Sequence, residues 1–146
     1  MNPDKRTMAE ALALHGAGRV REAAEIYREI LERHPQDADA LHLLGVVAFQ
    51  GGDDGQALAM ISKAVNIRPG NPIFSDNLGL VLARLGRLEE AEEAHRRALA
   101  LDDGLACAHN NLGTVLNAAG DVSGAETAHR RALERDPGNA EAPNNL

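Results

Sequence analysis

Residues 78–91 read Leu78-Gly79-Leu80-Val81-Leu82-Ala83-Arg84-Leu85-Gly86-Arg87-Leu88-Glu89-Glu90-Ala91. Leu78, Val81, Leu82 and Leu85 return at the three- and four-residue spacing of one helical face. Gly86 predicts a stop, because glycine enters a left-handed turn without a Cβ penalty. The apolar pattern resumes at Leu88 and continues through Ala91, Ala94, Ala98 and Leu99, a second helix ending near Leu101. Gly79 and Ala91 are small enough for the two backbones to approach closely. The stretch is therefore a helical hairpin.

Outward from it, the same hairpin recurs every 34 residues. Leu44-Gly45, Leu78-Gly79 and Leu112-Gly113 form one series, and Gly18, Gly52, Gly86 and Gly120 a second. Ala23, Ala57, Ala91 and Ala125 form a third, and Pro35, Pro69 and Pro137 a fourth, with Asp103 in the place of its missing member. Independent series sharing one interval do not arise by chance and indicate repeated units. These residues resemble the tetratricopeptide repeat, across repeats at about 4–37, 38–71, 72–105 and 106–139. Residues 140–146 restart the pattern as the first helix of a fifth repeat. The resemblance implies an all-α fold, a right-handed superhelical solenoid of antiparallel helix pairs, A and B.

Starts and stops are marked chemically. Asp37, Asn71 and Asn139 stand where a side chain caps an A helix, and Pro72 follows at the favoured first position. The junction Asp102-Asp103-Gly104 offers no obvious cap. Two departures weaken the pattern: repeat 1 has Glu10-Ala11 in place of Leu-Gly, and Asp54-Gly55 predicts a late start for the second B helix. The break at Leu146 suggests a fragment of a longer protein, since a solenoid ordinarily ends in a polar capping helix.

Composition excludes several functions. With 15 basic against 22 acidic residues, the net charge of −7 argues against nucleic acid. No apolar run approaches the roughly 20 residues that span a bilayer, and no signal peptide is evident, so a cytoplasmic location is expected. Cys107, the sole cysteine, lacks a neighbouring base and is not expected to be a nucleophile. His95 and His129, in matching His-Arg-Arg-Ala-Leu segments, stand where Tyr27 and Ile61 stand and are read as interior side chains. His34, His42 and His109 have no evident partners. No cofactor, metal site or catalytic residue is expected, and the chain is read as a non-enzyme.

In the resembled fold the A helices line a concave groove. The resemblance places Leu12 of repeat 1, Leu43, Val46 and Phe49 of repeat 2, and Asn77 and Leu80 of repeat 3 on it. Repeat 4 adds Asn110, Asn111 and Asn117, and the fifth adds Asn145. Two features follow. Asn77, Asn111 and Asn145 share the repeat interval and would align as a ladder, each amide able to donate to and accept from a bound main chain. The wording Asn110-Asn111-Leu112-Gly113 is similar to repeats of O-linked N-acetylglucosamine transferases. Leu12, Leu43, Val46, Phe49 and Leu80 offer an apolar surface suited to anchoring. The lysines and arginines with which related repeats clamp acidic chaperone tails are missing at the corresponding positions.

The expected function is a protein-interaction scaffold holding an extended or helical segment of a protein or peptide. Two alternatives stand beside it: the substrate-recruiting repeat region of a larger enzyme such as a bacterial glycosyltransferase, and a self-assembly module in which copies meet through the uncapped carboxyl-terminal end or the apolar groove.

Overall fold

The structure, a computed structural model, describes residues 5–138. Among the described residues it is all helix: α1 Met8–Gly16, α2 Val20–Arg33, α3 Ala38–Gln50, α4 Asp54–Ile67, α5 Pro72–Arg84, α6 Leu88–Leu101, α7 Ala106–Ala118 and α8 Val122–Arg135. Consecutive helices pair as hairpins, α1 with α2, α3 with α4, α5 with α6 and α7 with α8. The chain forms two compact units, Met1–Ile67 and Arg68–Leu146, each holding two hairpins. The opening of a fifth repeat, Asn139 included, lies outside the described residues.

Every hairpin turns through the same device. Gly18, Gly52, Gly86 and Gly120 have φ between 79° and 91°, and no other described residue has positive φ. After each, the next N–H reaches back five residues to a helix carbonyl, as in Arg87 to Leu82 at 2.9 Å and Asp121 to Leu116 at 2.8 Å. This is the glycine-dependent closure that satisfies carbonyls left open at a helix end.

The A helices start as their caps predict. Asp37 Oδ1 accepts from the Ala40 N–H at 3.0 Å, and Asn71 Oδ1 from Ile73 and Phe74 at 2.9 and 3.2 Å. At α7 the residue before the helix, Leu105, makes no side-chain cap; the Asp102 carboxylate instead accepts from the Gly104 N–H at 3.0 Å.

The B helices begin in two alternating ways. Arg19 and Arg87 precede α2 and α6 and fork onto Glu22 and Glu90. Asp53 and Asp121 precede α4 and α8 and accept from the N–H groups of Gln56 and Gly124 at 3.1 and 2.9 Å. This corrects the expected late start of the second B helix. α4 begins at Asp54 in the register of the others, because Asp53 caps it and the Asp54 carboxylate sits in the favourable first turn. The Gly55 propensity cost is small beside those two gains.

Small residues form the hairpin seams. Ala23, Ala57, Ala91 and Ala125 are all buried, as are Ala64, Ala98 and Ala132. In the first unit, Ala23, Ile26, Tyr27 and Ile30 of α2 pack with Ala40 and Leu44 of α3. In the second, Leu99 of α6 packs against Leu112, Leu116, Ala125 and Ala128 of the following hairpin.

Candidate binding surface

Gly45, Gly79 and Gly113, midway along their A helices, face side chains rather than backbone. A Cβ on Gly79 would stand 2.6 Å from Nδ1 of His95, one on Gly113 2.7 Å from Cε1 of His129, and one on Gly45 2.6 Å from Cγ1 of Ile61. In each of these three hairpins the residue sixteen places on lies over the glycine. Ring or branched chain, it occupies the space that a methyl group would need. The first hairpin has Ala11 in the glycine's place, with Tyr27 sixteen residues on.

Where that overlying residue is polar, it finds a partner on its A helix. Tyr27, fully buried, pairs its hydroxyl with Nδ1 of His15 at 3.0 Å. His95, fully buried, donates from Nδ1 to Asp76 Oδ1 at 2.7 Å. His129 Nδ1 lies 2.8 Å from Asn110 Oδ1. Ile61 needs no such partner. The interior reading of His95 therefore holds, with one qualification: Nε2 of His95 is buried with no partner among the described residues. Buried polar groups are ordinarily paired, so His95 is held through one nitrogen alone.

Asp76 is the hub of this arrangement, and its side chain is wholly buried. Its Oδ2 accepts from Asn111 Nδ2 of α7 at 3.1 Å and lies 3.9 Å from Cys107 Sγ. One carboxylate thus joins α5, α6 and α7. The sequence marks His95 as an interior side chain without pointing to Asp76 as its partner. The repeated nineteen-residue offset, Asp76 to His95 and Asn110 to His129, was the signal available. Burial pushes the Cys107 thiol up and the Asp76 charge adds to it, so the unreactive thiol form is favoured.

Several expected groove residues are placed otherwise. Asn77 is only 2% exposed, so in this structure its amide is not offered to a ligand. Its short side chain lies among the buried residues of α5, Phe74 to Asn77. Val46 is 1% exposed and belongs to the core; it falls on the inward stripe of α3 with His42 and Gly45. Asn145 lies outside the described residues. What remains open differs between the units. The first offers Leu12 at 47% exposure, with Leu43 and Phe49 half-buried. Leu43 also packs against the first unit's core. The second offers half-buried Leu80, Asn110 and Asn111, and exposed Asn117 and Thr114.

Two of the other histidines, His42 and His109, are buried. His109, read as unpartnered, has a partner: its Nε2 lies 3.0 Å from the Asp103 carbonyl oxygen. His42 is buried, and desolvation lowers its pKa to about 4, against a smaller opposing pull from Asp39. Among the described residues no three His, Cys, Asp or Glu side chains gather as a metal site, and no helix is long and apolar enough to cross a membrane.

Comparison with known proteins is consistent with this geometry. Two family models, both described as tetratricopeptide repeat, match residues 8–72 and 73–138. Cellulose synthase operon protein C of Pseudomonas fluorescens is 31% identical over 98 residues, 67% of this chain and 8% of that protein. The chain spans about a tenth of the length of the curated relatives it first matches. Among solved structures, an O-GlcNAc transferase of Thermobaculum terrenum superposes with a TM-score of 0.84 at 27% identity, over 89% of this chain and 26% of that one. YrrB, described as a TPR protein with an unusual peptide-binding site, superposes with a TM-score of 0.79 at 21% identity, over 89% of this chain and 67% of that one.

Proposed function

The chain belongs to the tetratricopeptide-repeat family, and from that premise we propose that it is a non-catalytic scaffold that binds a segment of another protein along its A helices. The observation that carries this reading is the state of the A-helix side chains. Leu12 is 47% exposed, and Leu43, Phe49 and Leu80 are only half-buried. Each unit leaves apolar side chains open on its A helices, and the second also leaves amides and a hydroxyl there; such groups suit a segment that brings both apolar side chains and main-chain groups. YrrB, which shares the fold, is described as having a peptide-binding site.

The test is peptide selection from a displayed library against the purified chain, followed by calorimetry with the best peptide. Leu12→Asp, which alters an exposed side chain, should weaken binding at least about tenfold, or ~1.4 kcal/mol. Unchanged affinity in both Leu12→Asp and Asn117→Ala would remove the A-helix face from the reading.

A second reading, self-association, is favoured by α8. Leu133 is 52% exposed and Val122 56%, whereas Leu99, at the position of Leu133 in the preceding repeat, packs against the next hairpin. Light scattering across a concentration series tests it; a constant monomer mass would dismiss it.

A further inference from the structure

We propose that Asp76 is a positioning residue that fixes the polarity of Asn111, so that this rung accepts a hydrogen bond from a main-chain N–H of the bound segment. The proposal rests on the scaffold reading and goes beyond it by naming the ligand group and the direction of the bond.

The argument begins with what a carboxylate can do: it accepts and does not donate. Oδ1 of Asp76 takes the Nδ1–H of His95 at 2.7 Å, and Oδ2 lies 3.1 Å from Asn111 Nδ2. Turned end for end, the Asn111 amide would set oxygen against oxygen. Its nitrogen is therefore tied towards α5, and its oxygen, on the other branch of the planar group, points away from Asp76. An unrestrained asparagine offers either end to a ligand; this one is committed. Asp76 itself is held by burial and by His95, whose ring is pinned against Gly79. Asn111 is half-buried, so part of its side chain still meets the surface. Of the donors on an extended segment, main-chain N–H groups recur whatever the side chains are, and these are what a fixed acceptor reads.

The test uses the peptide selected against the intact chain, synthesised as a series in which each main-chain N–H in turn is replaced by N–CH3. Methylation at one position should weaken binding to the wild-type protein at least tenfold, and binding to Asn111→Ala by less than twofold. In Asp76→Asn the neighbouring amide permits either orientation of Asn111, and the methylation penalty should shrink by severalfold while circular dichroism keeps its helical signal. A full penalty retained in Asn111→Ala or in Asp76→Asn overturns the proposal and leaves the scaffold reading intact. Failure to select any peptide overturns the scaffold reading and this proposal with it. Should Asp76→Asn not fold, side-chain amide exchange in the wild-type protein decides the matter. The Asn111 Nδ2 protons should exchange at least tenfold more slowly than those of exposed Asn117, and equal rates overturn the tie to Asp76.

Discussion

His95 lies flat over the backbone of Gly79, its Nδ1 and Nε2 standing 2.6 and 2.7 Å from where a glycine Cβ would be. The ring is wholly buried and fastened through Nδ1 to Asp76. It cannot swing aside without leaving that carboxylate, so the glycine is demanded by a side chain and not by its own backbone angles.

Gly79→Ala should therefore destabilise the chain by ~1–3 kcal/mol, the usual cost of overpacking. Gly113→Ala should cost less, because His129 is half-buried and able to give way. Urea unfolding of both variants checks the order; equal losses would mean that the Asp76 anchor does not stiffen His95.

Asp76 and His95 should show strong coupling. Asp76→Leu strands the buried Nδ1–H of His95, at about 1–3 kcal/mol for a buried group left unpaired, and takes from the half-buried Asn111 amide its carboxylate partner. His95→Ile reproduces the residue found at Ile61, where no polar partner is needed. The double variant should recover much of the loss, since replacing both members of a buried polar pair is far gentler than removing one. A double-mutant cycle measures this, and simple additivity would contradict it.

Acid should loosen the fold through His42. Burial holds its pKa in the folded chain at about 4, below the value near 6.5 of an unfolded histidine. At neutral pH both states carry it uncharged and nothing is lost. As pH falls from about 6.5 towards 4, the unfolded chain takes the proton and the folded chain does not, so stability drops, by up to ~3 kcal/mol. His42→Leu should flatten that part of a stability–pH curve measured by chemical denaturation. An unchanged slope between pH 6.5 and 4 would assign the acid sensitivity to other groups.

Glycines at two neighbouring kinds of position should respond oppositely. Gly86 has φ of 79°, and Gly86→Ala should cost ~1–2 kcal/mol for forcing a Cβ into the left-handed region. Gly16 ends α1 without positive φ, and a Cβ there meets nothing within 4 Å. Gly16→Ala should stabilise by ~0.4–1 kcal/mol by restricting the unfolded chain. Thermal melts of the two variants should move in opposite directions.

The fold was largely legible in the sequence because its determinants are local and repeated. Helix stops at Gly18, Gly52, Gly86 and Gly120 and caps at Asp37 and Asn71 depend on a few adjacent residues, and the 34-residue interval displays each of them several times. Asp54-Gly55 is helical against its local propensity because the Asp53 carboxylate caps the helix it opens. The candidate surface was less legible. Val46 and Asn77 sit at positions that resemblance assigned to the groove, yet both are buried.

By itself, the order of residues determined the helices, their turns and their pairing into hairpins, since spacing along one strand of chain is enough to set hydrogen bonds within a turn. Which amides stay open, and which way they face, follows from the packing of helices distant in the chain. Asn111 points as it does because Asp76, 35 residues earlier, lies within reach of its nitrogen, and closeness between helices is a property of packing that one-dimensional spacing does not contain.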